Sequence, residues 1–309
     1  MGTSGSVWIG PDFPAGCPAV SRRADRVAVV APRPDTGERG MLIRAGYDIA
    51  LTVQSPTPLV LMLEVHPDRE PDLMTPQIPM FDPPVPAQRY LDGFGNRCTR
   101  VIAPGGTLRT TMSFLIADSG LPDRQMPMAR EVPVGDLPSD CLVFLLGSRY
   151  CETDLLSQTA WSLFGHLLPG WNRVQAIVSF VHHHIRFDYS QARATRSAYE
   201  AYNERVGVCR DFAHLAVTLC RCMNIPARYC TGYLGDIGVP PVDDPMDFSA
   251  WFEVWLDGQW FTFDARHNTP RIGRVVMARG RDATDVALTT SFGPAILSGF
   301  TVTTYEEVY

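Results

Sequence analysis

The period of the hydrophobic pattern shifts from strand-like to helical partway along the chain, and that shift limits the fold more than any other feature. From Met41 the runs IRAGYDIALTV, PLVLMLEV and GTLRTTMSFLIAD are rich in β-forming residues and are separated by clusters such as FDPPVP and APGG. These are strands joined by turns. After the SRYCETD segment, TDLLSQTAWSLFG and GWNRVQAIVSFVHHHI carry apolar residues three and four apart, which selects helices. The fold class is therefore α+β. A flexible extension is expected over 1–40, where Gly, Pro, Ser and Arg recur without periodicity, followed by a β-rich domain over 41–150 and a mixed domain over 151–309. A length of 309 residues agrees with two domains of about 150 each.

The chain contains no lysine, so all 27 basic residues are arginine. Schiff-base, P-loop and kinase-type chemistry are excluded, since each needs that amine. The chain also has no lysine side chain to offer as an acyl acceptor. A net charge of −6 without a polybasic run argues against nucleic acid and anionic membrane surfaces as partners. Apolar runs such as Leu59 to Leu63 fall far short of the roughly 18 residues a membrane span needs. The N-terminus lacks the basic flank and apolar core of a signal peptide, so the expected location is cytoplasmic. Eight cysteines without CxxC spacing then read as buried thiols with one reactive exception. GFGNRC near Gly93 lacks the third glycine and following helix of a phosphate loop, and no cofactor is expected.

In ERVGVCRDFAHLAVTLCRCMNIPARYC, Phe212, Leu215, Ala216, Leu219 and Met223 mark one face of a helix running from near Gly207 to before Pro226. Cys209 falls in its first turn. Unpaired N–H groups and the positive end of the helix dipole favour an anion there, so a lowered thiol pKa is expected. Cys220, Cys222 and Cys230 read as buried packing residues.

A hairpin follows: FSAWFEVWL, the turn Asp257-Gly258, and QWFTFDA. Asp-Gly between alternating strands fixes the register, pairing Leu256 with Gln259, Trp255 with Trp260, Glu253 with Thr262 and Trp251 with Asp264. Period-two alternation then projects Ser249, Trp251, Glu253 and Asp264 from one face. Trp251, Trp255 and Trp260 read as hairpin core, and Glu253 as an exposed cross-strand carboxylate. His267 lies three residues after Asp264, on the opposite face of a regular strand unless a turn at Arg266 brings it round. His214 points roughly 140° away from Cys209 on the helix, a packing position. His182, His183 and His184 fan apart and have no partner at ligand spacing, so no metal is expected. In RIGRVVMARGRDATDVALTT a strand precedes a turn carrying Asp282 and Asp285, whose carboxylates can pair with its arginines.

The order GVCRDFAHL, then Ile-Pro-Ala-Arg-Tyr with a following Gly-Tyr, an Ala-Trp strand, and Trp-Phe-Thr-Phe-Asp resembles the transglutaminase-like superfamily over about residues 165 to 270, in its bacterial cysteine-protease-like branch. The resemblance implies a papain-like α+β core preceded by a β-rich domain, and a Cys-His-Asp triad acting on amides through a thioester. Cys209 matches the family cysteine and Asp264 the aspartate. At the histidine the family reads His-Ala-Trp, whereas this chain has Ser249-Ala250-Trp251, and a hydroxyl is no general base near neutral pH. His267 is the possible substitute base.

The expectation is a cysteine amide or peptide hydrolase with Cys209 as nucleophile, Asp264 as orienter, and the Cys209 N–H in an oxyanion hole. Peptides or proteins would be its substrates. Two alternatives stand beside it. Ser249 suggests a catalytically impaired peptide-binding or scaffold protein, and the resemblance alone leaves open acyl transfer to an amine.

Overall fold

The computed structural model describes residues 40–242 and 245–308, with the backbone of Val7 and Trp8. The extension expected over 1–40 lies almost entirely outside the described residues. Val7 and Trp8 themselves pair antiparallel with Ser291 and Thr290.

Strands Met41–Val53 and Gly106–Asp118 pair antiparallel along their whole lengths. Inward positions of the second alternate with more exposed ones, as a strand with one covered face requires. Ala295–Glu306 lies on the other edge of Met41–Val53, and Met80–Asp82 flanks Gly106–Asp118. A second sheet runs Thr289–Ser291, Thr57–Leu61, Arg97–Ala103, Ala87–Leu91. Ile43, Leu51, Leu59, Leu61, Val101 and Leu108 form one apolar core shared by both sheets. The β-rich region is therefore a two-sheet sandwich.

The chain then becomes helical: α1 (Thr153–Phe164), α2 (Trp171–His184), α3 (Ala198–Glu204) and α4 (Cys209–Cys222). A third sheet, ordered Gln259–Phe263, Ser249–Leu256, Ala227–Tyr233, Val275–Gly280, packs on α4 through Phe252, Val254, Leu256, Phe261 and Phe263. Every residue of α4 is buried, because α1, α2, α3 and this sheet all contact it. Tyr233, Ile237, Phe248, Val275 and Met277 join the sandwich core, so the third sheet abuts the β-rich region.

The partition into 41–150 and 151–309 needs a correction at its far end. Strands Thr289–Ser291 and Ala295–Glu306 leave the helical region and complete the sandwich, the latter pairing from Ala295↔Val53 to Glu306↔Ile43. Unpaired, Met41–Val53 would offer one open edge of N–H and C=O groups, and the returning strand satisfies it. No described helix is long and apolar enough to cross a membrane.

Candidate active site

Cys209 is the first residue of α4, preceded by extended Val208. The Asp211 side chain reaches back to accept the Val208 N–H at 2.8 Å, capping the helix start. Arg196 Nη1 pairs with the same carboxylate oxygen at 3.1 Å. Burial pushes the Asp211 carboxyl up despite the arginines around it. Gly207 is required here, since a Cβ on it would stand 2.5 Å from Asp211 Oδ2. Strand Val206–Gly207 pairs parallel with Arg186–Phe187, Phe187 opposite Gly207, and so sets Phe187 and Tyr189 beside the start of α4.

The hairpin has the expected register from Leu256↔Gln259 to Glu253↔Thr262. Asp257 and Gly258 adopt φ of 48° and 82°, the paired left-handed conformation of a type I′ turn. The strand stops at Phe263, so Asp264 does not continue the ladder opposite Trp251. Asp264 Oδ1 instead accepts the N–H groups of Arg266 and His267, at 2.9 and 3.1 Å. That side-chain-nucleated turn carries His267 round, and its Nδ1 lies 2.8 Å from Asp264 Oδ2. The regular-strand expectation, which placed His267 on the opposite face, is overturned by this turn. Arg274 Nη2 also bonds Asp264 Oδ2 at 2.8 Å, while its Nε pairs with Asp123. Burial alone would raise the Asp264 carboxyl, but Arg274 and His267 outweigh it and hold it far below the usual carboxylate range. Asp264 is thus a fixed anion. Beside it, a notch of about 30 Å³ lined by Asp123, Gln175, Asp264 and Asn268 has room for about one water.

Ala250 packs with Cys209, Ala213 and Tyr229, whereas Trp251 packs with Cys230 and Val276 on the other face. The Ala250 N–H donates toward the Cys209 thiol. Ser249 opens this strand opposite Gly232 and is buried, and its carbonyl accepts Thr231 Oγ1. Cys209 is 3 % exposed, and burial pushes its thiol up to about 11. Arg266, the Ala250 N–H and Arg210 pull it down, and Asp247 adds to the rise. The expected lowering therefore does not occur. A helix terminus supplies ~0.3–1 kcal/mol to an anion, whereas one pKa unit is ~1.4 kcal/mol, so desolvation decides the sign.

Arg266 is the charged group that weighs most on this thiol, and sequence reasoning treated it only as a turn position. Its guanidinium stacks 3.9 Å over Phe187 and 5.9 Å from the Tyr189 ring. No signal in the sequence puts residue 266 beside residue 187. Asp211 and Arg196 were also missed, although Asp two residues after Cys209 at a helix start is a visible capping signal. Glu253 is not an exposed carboxylate: it is buried, bonded to Arg228 Nε at 2.7 Å and paired with Arg279 Nε at 3.2 Å. The tryptophans pack as expected, with Trp251 buried and Trp255 edge-on to Trp260 at 5.4 Å. Arg281 pairs with Asp285 at 2.8 Å, while Asp282 accepts the Tyr150 N–H.

His214 is fully buried, stacks on Tyr150 at 5.0 Å and accepts the Ala283 N–H through Nε2. His182, His183 and His184 turn to three different carbonyl regions, at Ala265 and Arg266, Ser179, and Tyr202. Among the described residues, no three His, Cys, Asp or Glu side chains converge as a metal site. The seven described cysteines are all buried and unbridged.

Residues 163–265 match the transglutaminase-like superfamily profile. The fold resembles the crystal structure of a "putative cysteine protease" from Cytophaga hutchinsonii, with a TM-score of 0.76 and 31% identity over 88% of this chain and 92% of that one. An uncharacterized protein of Mycobacterium leprae is 35% identical over 94 residues, 29% of this chain and 33% of that protein. An uncharacterized protein of Mycobacterium tuberculosis is 27% identical over 224 residues, 66% of this chain and 71% of its own length. The match thus spans about a third of the first relative and most of the second.

Proposed function

The protein belongs to the transglutaminase-like superfamily, and we propose that it is a thiol-dependent amide or peptide hydrolase whose nucleophile is Cys209. Sγ attacks the carbonyl carbon of the substrate amide, the amine leaves with a proton, and water resolves the thioester to a carboxylic acid and the free thiol. The Cys209 N–H is the donor for the developing oxyanion. The thiol proton needs an acceptor. His267 is the base in this reading, its Nδ1 tied to Asp264, which leaves Nε2 to take the proton. The observation that carries the proposal is the convergence of Arg266, the Ala250 N–H and the start of α4 on one buried sulfur, three groups that each favour negative charge there.

A second reading is a peptide-binding protein without turnover. It is favoured by Ser249 at the family histidine position and by a thiol pushed up to about 11. Peptide substrates incubated with wild type and Cys209→Ala, with products read by mass spectrometry, separate the two. Hydrolysis predicts new carboxyl termini from wild type only. Equal cleavage by both proteins would remove Cys209 from the chemistry, and no cleavage by either would favour the binding reading. Products joined to an added amine would show acyl transfer instead.

A further inference from the structure

We infer that Arg266 is the substrate-recognising cation of the Cys209 site and that the site takes peptides carrying a carboxylate next to the amide presented to Cys209. The inference rests on the reading of Cys209 as the substrate-facing residue, but not on turnover. Arg266 follows Asp264 in a turn that fixes its backbone, since its N–H is held by Asp264 Oδ1 at 2.9 Å. Its guanidinium lies over Phe187 at 3.9 Å, and Phe187 is registered opposite Gly207, two residues before Cys209. The cation is therefore placed at the mouth of the helix start by two independent anchors, a backbone turn and an aromatic platform.

Among the described residues, no carboxylate forms an ion pair with Arg266, whereas Arg196, Arg228, Arg274, Arg279 and Arg281 each have one. Arg266, Phe187 and Tyr189 are all partly exposed, while Cys209 is not. A stacked guanidinium still presents edge N–H groups to a carboxylate, here beside the Tyr189 hydroxyl with which Arg266 hydrogen-bonds, and the aromatic faces below it give the peptide a surface to lie on. Arg210 and the α4 N-terminus add positive potential at the same place, opposed by Asp247. A neutral thiol does not cancel that field. An incoming carboxylate does.

The carboxylate can be a Glu or Asp side chain or a peptide C-terminus, and the test separates them. Acetyl-Ala-Ala-Glu-Ala-Ala-amide, its Gln counterpart, and acetyl-Ala-Ala-Ala with a free or amidated C-terminus are titrated into the Cys209→Ala protein by calorimetry. The inference expects one carboxylate peptide to bind roughly tenfold or more tightly than its neutral partner. That preference should weaken with salt and vanish in Arg266→Gln. Arg266→Lys keeps the charge and provides a folded control, and it should retain part of the preference. Equal binding of charged and neutral peptides, or a preference that survives Arg266→Gln, would overturn the inference. Acidic peptides that bind but are never cut by wild type would instead remove the hydrolase reading and leave this inference standing.

Discussion

Cys209 and Asp264 are both buried, and burial acts on them with different results. Asp264 is ringed by Arg274, His267 and two backbone N–H groups and stays ionised, while Cys209 has fewer stabilising partners and is held as a thiol up to about 11. Alkylation of Cys209 should therefore be slow at neutral pH and rise toward a midpoint near 11. Arg266→Gln should move that midpoint up and Asp247→Asn should move it down, since the first pulls the thiol down and the second lifts it. Peptide mapping after iodoacetamide labelling over pH reads all three, and a midpoint below the free-thiol value of about 8.5 would contradict the account. Asp264→Asn leaves Arg274 with only Asp123 as a carboxylate partner, and breaking such a buried pair should cost about 3–5 kcal/mol by urea unfolding. The place of Cys209 in the first turn of α4 was legible because it lies in a local motif, whereas the expected pairing of Asp264 opposite Trp251 failed where the strand ends at Phe263. The protonation state of the thiol was not legible, because burial is a property of the assembled fold. The Arg266–Phe187 stack was hidden for the same reason.

At the scale of elements, short-range chemistry wrote most of the structure. Asp257-Gly258 specified the hairpin and its register, and the three-and-four spacing placed α1, α2 and α4 to within about three residues. Gly258→Ala should cost about 1 kcal/mol, because a Cβ there meets no atom and only the left-handed backbone is strained. Gly207→Ala is a different case. Its Cβ would drive Asp211 off the α4 cap, so the loss should exceed that of Gly258→Ala by about 1–3 kcal/mol and should also disturb the position of Cys209. Comparable losses from the two glycine variants would show that Asp211 can retreat without consequence. The turn after Asp264 was the element-scale feature that periodicity missed, since alternation describes a strand only until a side chain captures the backbone.

For the whole molecule, the least legible feature was the return of Ala295–Glu306 to the edge of Met41–Val53. Pairing between residues so far apart leaves no local trace, as either strand reads the same beside any partner. Buried histidines set the acid limit of the assembled protein. Burial drives His66 down to about 4 and His214 well below its ordinary value. Both folded values lie below the unfolded value of about 6.5, so the unfolded chain takes up these protons first as pH falls. Stability is complete above about 6.5 and is lost toward the folded values, by about 1.4 kcal/mol per pH unit for each histidine. Asp264 adds its own loss only below about 4. Urea midpoints measured between about pH 7 and about pH 4.5 should show this decline, and His214→Asn should reduce its slope. A flat profile would contradict the neutral, buried state assigned to these rings.

The most direct test of Cys209 as nucleophile is acid-quenched intact-protein mass spectrometry after mixing wild type and Cys209→Ala with peptide substrates at mildly alkaline pH. The account predicts a transient mass increase equal to the acyl portion of the peptide, mapped to Cys209 and absent from the alanine variant. Peptide cleavage without any adduct on Cys209, or with the same adduct in both proteins, would contradict it.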